Sequence, residues 1–251
     1  MKVFKAPIEK HRPVCVLIDR SKSVESYDGR VMNGINCCAE GVVEKMKKQV
    51  EFRKMTEMLV IQFDTKPEVT ADFVKLDDLD PQAVTIAQAK GCTDTGAALL
   101  RALDMLDKKK QECKDEGEEY IQPLLFLITD GAPDPGKISD ESQREAHSFA
   151  VREYGERYRK AAARIKEMEE ADKLVFVAGG ITVDEEIAAD IGKLRELTNY
   201  PNRVVELDCS GDLSRLEGFF DVVLAATAAP PNTSPIDELV KNIARGKRAN
   251  G

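Results

Sequence analysis

The chain has 251 residues, of which 42% are hydrophobic and 33% charged, and it carries a formal net charge of -8 at pH 7. This length is enough for one large domain with a substantial apolar core, alone or with short appendages. The acidic balance argues against a nucleic-acid partner, because a phosphate backbone attracts proteins mainly through basic side chains. Residues 1–14 contain scattered charges and no apolar core, and no apolar run reaches the length of a membrane span. We therefore expect no signal peptide, no membrane partner and a cytoplasmic location.

Segments with strand and helix character alternate along the chain. Short apolar runs predict buried strands, and apolar residues at three-to-four spacing predict helices. In chain order, the pattern predicts a strand over 14–19, a helix over 31–50, strands over 58–63 and 68–76, a helix over 95–107, a strand over 124–129, a long loop over 131–150, a helix over 152–171, a strand over 174–178 that ends at a Gly-Gly pair, a helix over 187–194, a strand over 204–207 and a helix over 213–226. This alternation predicts an α/β, doubly wound (Rossmann-like) fold with a mostly parallel six-stranded sheet, helices on both faces and one antiparallel edge strand.

The two ends of the chain differ from its middle. Residues 1–11 are predicted to be an N-terminal extension, residues 12–227 the domain, and residues 228–251 a Pro-rich linker followed by a short amphipathic helix. In that last segment the apolar residues fall on one helical face: Ile236, Leu239, Val240 and Ile243. A helix this short is marginal alone and needs a surface that covers its apolar side. Docking on the same domain, docking on a partner and disorder all remain open.

The cysteines and histidines show no catalytic or metal-binding pattern. The six cysteines include no C-x-x-C pair and are expected to be reduced thiols. The two histidines, His11 and His147, are far apart in charged surroundings and are predicted to be solvated.

Three polar segments stand where strand-to-helix loops are predicted. Asp19, Ser21 and Ser23 follow the first strand, Thr93 lies in a Gly-flanked stretch that opens a helix, and Asp130 follows the fourth strand. The carboxyl ends of parallel strands meet at one edge of the sheet, where open α/β sheets bind ligands. Carboxylate and hydroxyl oxygens are hard ligands that suit Mg²⁺ or Mn²⁺. Simple capping and turn roles are the alternative, but they do not explain why all three segments occur together.

In this order, the segments resemble the metal-ion-dependent adhesion site of von Willebrand factor type A domains. The pattern of that family is Asp-x-Ser-x-Ser, then a Thr within Gly-x-Thr-x-Thr, then the Asp of Thr-Asp-Gly. The matching positions here are Asp19, Ser21, Ser23, Thr93 and Asp130. The residues around them, over 14–18, 93–99 and 124–133, resemble the bacterial tellurium-resistance (TerY-type) branch. The resemblance implies that residues 12–227 form a von Willebrand factor A-type domain.

The same resemblance implies a function. A Mg²⁺-dependent adaptor or scaffold is expected, in which a protein partner supplies an acidic side chain to the metal. A bacterial stress or tellurite-resistance module with kinase or phosphatase partners is also implied. Lys22 departs from the pattern, since Gly is common between the two serines; we expect its ammonium to point to solvent. Asp64 and Asp134 are weaker candidates, each with a turn role as an alternative.

Enzyme motifs are missing from the sequence. The chain has no G-x-S-x-G elbow, no phosphate-binding G-x-x-x-x-G-K-[ST] loop and no H-E-x-x-H. We therefore expect no catalysis. A metal-dependent hydrolase or phosphatase on a doubly wound sheet is the alternative, because a metal-bound water can hydrolyse esters.

Overall fold

The structure is a computed structural model that describes residues 9–25, 29–131, 133–136, 142, 144–185, 188–229 and 236–244, with the backbone alone for residues 51 and 52. Its strands are β1 (Lys10–Asp19), β2 (Thr56–Phe63), β3 (Pro67–Lys75), β4 (Glu119–Tyr120), β5 (Leu124–Thr129), β6 (Val175–Thr182) and β7 (Val204–Asp208). Its helices are α1 (Arg30–Lys47), α2 (Val50–Met55), α3 (Thr95–Glu116), α4 (Arg144–Glu170), α5 (Ile191–Arg195), α6 (Ser214–Ala228) and α7 (Ile236–Ala244). Within the described ranges, no helix is long and apolar enough to cross a membrane.

The strands form a single mixed sheet in the order β3-β2-β1-β5-β6-β7, with β4 paired to the start of β1. Every pairing is parallel except that of β2 with β3, which is antiparallel at the edge of the sheet. The predicted fold class is confirmed. The sheet has a seventh strand because β4 adds two residues, too few to produce an alternating pattern in the sequence.

The two faces of the sheet are covered by different helices. Along β1, Val14, Val16 and Ile18 belong to an apolar layer that includes α1, α6 and α7. Cys15 and Leu17 belong to the opposite layer, which includes α3 and α4. Successive side chains of a strand point to opposite faces, so a strand buried on both sides reads as a continuous apolar run.

The predicted helix boundaries needed several corrections. Helix α4 begins at Arg144, so the end of the predicted loop over 131–150 is helical. This first part of α4 is polar and mostly exposed, and it therefore lacks an apolar stripe. The first predicted helix ends at Lys47, and a separate α2 begins at Val50, which is 57% exposed. The helix predicted over 187–194 is shorter, Ile191–Arg195, and position 187 lies outside the described residues.

The Gly-Gly pair lies inside a strand, so the prediction that it ends β6 was wrong. A Cβ on Gly179 would lie 2.6 Å from a Leu207 methyl carbon, and one on Gly180 would lie 2.6 Å from a methyl carbon of Ile191. The glycines are needed because neighbouring side chains pack directly onto the strand. In this sheet, glycine indicates close packing and not a turn.

The last described helix packs on its own domain. Ile236, Val240 and Ile243 of α7 are 1–3% exposed and belong to the layer that includes α6. The Arg203 guanidinium stacks on the Tyr200 ring and forms an ion pair with Asp237 of α7, with Nε 2.7 Å from Oδ1. Of the three possibilities left open by the sequence, the structure shows docking on the same domain. The domain limits of 12 and 227 stay predictions.

Candidate metal centre

Two aspartates meet at the carboxyl edge of the sheet because their strands are neighbours. Asp19 is the last residue of β1, and Asp130 follows the last residue of β5. The two strands pair in parallel up to Ile18 and Ile128. Asp19 comes one residue after Ile18 and Asp130 two residues after Ile128, so both carboxylates lie at the same carboxyl edge of the sheet, as the sequence predicted.

Hydrogen bonds connect these carboxylates to the serines of the first loop. The Ser21 amide donates to Asp19 Oδ1 (2.8 Å), and the Ser21 hydroxyl donates to Asp130 Oδ1 (3.4 Å). The Ser21 and Ser23 hydroxyl oxygens are 3.1 Å apart. Four of the five predicted site residues are thus in one hydrogen-bonded group. Thr129 joins them, because its hydroxyl donates to Asp19 Oδ2 (2.5 Å).

Thr93 is placed beside this group by its backbone. Its amide donates to the Asp134 carbonyl and its carbonyl accepts from the Asp134 amide, both at 3.0 Å. On the other side, the amide of Lys90 donates to the carbonyl of Arg20 (2.9 Å). The loop that carries Thr93 is therefore tied to both other loops. The Thr93 hydroxyl, in a residue 5% exposed, takes no part in the hydrogen bonds among the other four.

The start of α3 holds that loop in position. Asp94 caps the helix by accepting from the Ala97 amide (2.9 Å), and its carboxylate forms an ion pair with Arg157 of α4 (2.6 Å). A Cβ on Gly96 would clash with the Tyr158 amide nitrogen. Only glycine allows α4 to approach α3 this closely, and that approach brings Arg157 to the cap. The role of Gly96 was not evident from the sequence, because its neighbour is far along the chain.

The site has an uncompensated negative charge. Asp19 is 1% and Asp130 6% exposed. Burial, followed by the charge of Asp130, raises the pKa of Asp19 to about 8, and burial raises the pKa of Asp130. Among the described residues, no lysine or arginine forms an ion pair with either carboxylate. Asp130 Oδ2 is buried and accepts no hydrogen bond.

The oxygen set fits a hard divalent cation. Two carboxylates and the serine hydroxyls converge, and an unsatisfied carboxylate oxygen remains among them. A buried anionic pair of this kind is costly unless a cation or a proton compensates it. The donor types are those that Mg²⁺ and Mn²⁺ prefer.

The Lys22 side chain extends into solvent, and the weaker candidates Asp64 and Asp134 have structural roles. Lys22 is exposed, as predicted, so its ammonium lies in water. Asp64 forms an ion pair with Arg20 (3.0 Å) and accepts from the amide of Lys66 (3.1 Å) in its turn. The Asp134 carboxylate accepts from the amide of Gly136 (2.8 Å), which orders the loop after β5.

Three polar residues have surroundings that the sequence did not predict. Thr129 lies within the third motif, but the hydrogen bond that its hydroxyl donates to Asp19 is not evident from the sequence. His11 was predicted to be solvated, but it is 5% exposed, between Glu57 and Glu118. His147 is half-buried, and its Nε2 lies 2.7 Å from the Gly136 carbonyl oxygen. The partners of His11 lie on other elements, so its burial has no local signal in the sequence.

The family is defined by a match over most of the domain. A model of the von Willebrand factor type A domain matches residues 14–197, and the chain therefore belongs to this family. No curated protein matches the chain.

Solved structures show the same fold at low identity. The vWF domain of the type V pili tip protein Mfa5 from Porphyromonas gingivalis is 10% identical with a TM-score of 0.61, and the match covers 88% of this chain and 96% of that one. Proximal thread matrix protein 1 from the mussel byssus, with a zinc-occupied MIDAS motif, is 16% identical with a TM-score of 0.54. That match covers 86% of this chain and 48% of the mussel chain. A von Willebrand factor type A protein from Catenulispora acidiphila is 14% identical with a TM-score of 0.54, over 87% of this chain and 43% of its own. The chain thus spans about half the length of the mussel protein.

Proposed function

We propose that the chain is a protein-binding domain whose binding depends on a divalent cation, Mg²⁺ or Mn²⁺, at the carboxyl edge of the sheet. The observation that carries this proposal is the buried pair of Asp19 and Asp130, which has no cationic partner in the described chain and leaves Asp130 Oδ2 unsatisfied. Ser21, Ser23 and Thr93 complete the proposed set of oxygen ligands. When bound, the cation would supply a Lewis-acidic position for an acidic side chain of a partner.

The hydroxyl and carboxylate residues of the site have different roles in this proposal. The serine and threonine hydroxyls would bind the cation through neutral oxygens, so the protein would neutralise little of its charge. Asp19 is held by hydrogen bonds from Thr129 and Ser21, and these bonds orient its carboxylate. One of the similar structures is the vWF domain of a pilus tip protein, which supports an adhesive, partner-binding use of the fold.

Calorimetric titration with Mg²⁺ and with Mn²⁺ tests the metal assignment. Asp19→Ala should weaken binding by roughly 10- to 100-fold, because it removes a carboxylate that organises the site. Lys22→Gly is the control in the same loop, and it should change the affinity little, since an exposed ammonium is screened by water. Equal heats from wild type and Asp19→Ala would overturn the proposal. Partner binding is tested separately, by asking whether the immobilised protein retains acidic peptides in Mg²⁺ but not in chelator.

We also propose that the domain has no catalysis of its own. The described side chains that form hydrogen bonds with the two aspartates carry hydroxyls, and Lys22, the lysine nearest to Asp19 in the sequence, is exposed. Among the residues that the structure describes, no further acidic or basic side chain forms a hydrogen bond with this pair, so the rival hydrolase or phosphatase function has no additional general base to support it. Purified protein should show no metal-dependent hydrolysis of a generic phosphomonoester. Turnover that is abolished by Asp130→Ala would favour the rival function.

A narrower context is proposed from the sequence around the motifs. Their likeness to the TerY-type branch supports a cytoplasmic bacterial stress or tellurite-resistance module with kinase or phosphatase partners. Loss of tellurite tolerance on deletion of the gene, rescued by wild type but not by Asp19→Ala, would support this context.

A further inference from the structure

A cluster of three side chains from separate parts of the chain lies at the amino edge of the sheet. It consists of His11, Cys113 and Glu118, whose candidate ligand atoms all lie within 4.8 Å of one another. His11 stands at the start of β1, and Asp19 ends the same strand. Eight residues of extended strand separate the two positions by about 26 Å. The cluster is therefore independent of the proposed metal site around Asp19 and Asp130, which we call the carboxyl-edge site.

We propose that this cluster, the His11 cluster, is a second metal site, which binds Zn²⁺ through the imidazole, the thiolate and the carboxylate. Nitrogen, sulfur and oxygen ligands together are characteristic of Zn²⁺ and unsuited to Mg²⁺. Three protein ligands leave a fourth tetrahedral position for water.

The backbone holds the three residues in place before any metal binds. Helix α3 ends at Glu116 and is capped by Gly117, whose φ of 74° reverses the chain, so that the amide of Glu118 donates to the carbonyl of Cys113 (2.8 Å). This C-cap sets Glu118 beside Cys113. The next residues pair with β1: His11 lies opposite Tyr120, and the Ile121 amide donates to the His11 carbonyl (2.8 Å). The cap and the strand pairing thus bring all three side chains together.

The imidazole has one nitrogen free for a metal. His11 is 5% exposed, and its Nε2 is buried and forms no hydrogen bond of normal geometry, although a carboxylate oxygen of Glu118 lies 2.8 Å away. Tetrahedral zinc separates its ligand atoms by roughly 3.3–3.8 Å, within the span of the cluster. Cys113 is 1% exposed, whereas the side chain of Glu118 is 24% exposed and leaves a path for the ion.

The other imidazole nitrogen has the partner that a zinc-bound histidine uses. Nδ1 of His11 lies 3.1 Å from Glu57 Oε1, and the second oxygen of Glu57 lies 2.8 Å from the Lys109 ammonium. A carboxylate on the remote nitrogen fixes the tautomer and orients the ring toward the metal. Two glutamates and a thiolate would balance Lys109 and the divalent ion. Burial raises the pKa of the Cys113 thiol, so the metal itself would have to displace that proton.

An ion pair between a protonated His11 and two glutamates is the competing explanation. It accounts for both short nitrogen–oxygen distances but gives no role to Cys113. The two explanations differ in one observable, a bond between the metal and sulfur.

Titration with Co²⁺ as a spectroscopic substitute for Zn²⁺ tests the proposal. Asp19→Ala protein is used, so that binding at the carboxyl edge is weakened. We expect an ultraviolet thiolate-to-cobalt charge-transfer band that saturates at one ion per chain and disappears on addition of Zn²⁺. Adding Cys113→Ser should abolish the band, and adding Glu118→Gln, a partly exposed position that leaves the core intact, should weaken Co²⁺ binding by roughly 10- to 100-fold. Cys209→Ser, at an equally buried thiol outside the cluster, should leave the band unchanged.

Two results would overturn the proposal. One is the absence of a charge-transfer band in Asp19→Ala protein whose circular dichroism matches that of wild type. The other is a band and an affinity that neither Cys113→Ser nor Glu118→Gln alters. Either result would leave the ion pair as the explanation of the cluster.

Discussion

Asp130→Asn should abolish binding of divalent cations and, at the same time, stabilise the metal-free protein at neutral pH. The substitution keeps the shape of the side chain and removes a buried carboxylate that has no cationic partner in the described residues and that helps to raise the pKa of Asp19. A gain of about 1–2 kcal/mol is typical when a destabilised functional site is relieved. The midpoint of thermal unfolding in chelator should rise by about 2–8 °C. Excess Mg²⁺ should stabilise wild type and leave Asp130→Asn unchanged.

The pH dependence of the same measurement identifies the cause. The unfolded chain loses the Asp19 proton near the ordinary value of 3.8, whereas the folded chain keeps it up to a pKa of about 8. Between these values the unfolded state holds fewer protons, so the stability of metal-free wild type should fall as the pH rises. The fall should be shallower in Asp130→Asn, because the charge that helps to raise the pKa of Asp19 is gone.

Asp64→Asn is the matched control for this prediction. Asp64 is also buried at the carboxyl edge, with 7% exposure, but its carboxylate forms an ion pair with Arg20. Its replacement should lower stability, because it weakens the partner of a largely buried guanidinium. If Asp130→Asn also lowered stability in chelator, the Asp130 carboxylate would be a stabilising group and the argument for an uncompensated pair would fail.

The position of the carboxyl-edge site could be predicted because each of its parts depends on local sequence. Apolar runs before Asp19 and Asp130 indicate buried parallel strands, and the carboxyl ends of such strands share an edge. The only long-range fact needed was that β1 and β5 are neighbours, and the joint occurrence of the motifs implied it. The Thr93 loop followed for the same reason, since it opens a helix on the adjoining connection.

Features that depend on contacts between distant segments could not be predicted. His11 looks like a polar residue in a charged stretch, but Glu57 and Glu118 reach it from other elements. Gly179 looks like a turn residue because the side chain that fills its space, Leu207, lies on another strand. In both cases local composition suggests solvent, whereas the packing of distant elements determines burial. The hydrogen bond from the Thr129 hydroxyl to Asp19 could not be predicted either, because its acceptor belongs to a different strand.

Helix α7 shows the limit of what local sequence can predict. Its apolar stripe was evident from the spacing of Ile236, Val240 and Ile243, but the stripe does not specify which surface covers it. In the structure, α7 packs on α6. Arg12 holds the C-terminal end of α6, because its guanidinium donates to the carbonyls of Thr227 (2.6 Å) and Ala229 (2.5 Å). The last turn of α6 and Ala229 are thus anchored to the start of β1. Helix α7, which packs on α6, should therefore contribute to the stability of the whole domain.

A matched pair of substitutions in α7 separates burial from helix propensity. Val240 is 1% exposed and Lys241 is exposed, and they are adjacent on the same helix. Val240→Ala should lower the free energy of unfolding by about 1–3 kcal/mol, because it leaves a cavity against α6. Lys241→Ala should change it by less than about 0.5 kcal/mol.

Truncation after Pro231 should have the largest effect on stability of any change in this segment. It removes three nearly fully buried aliphatic side chains and exposes the α6 surface beneath them. Each such side chain contributes about 1.5–3 kcal/mol, and part of that gain is offset by the entropy of ordering the helix, so we expect a net loss of about 2–4 kcal/mol. The midpoint of thermal unfolding should fall by about 4–16 °C. Unfolding of full-length and truncated protein at the same temperature would contradict this, and it would mean that in solution the apolar face of α7 is free for a partner.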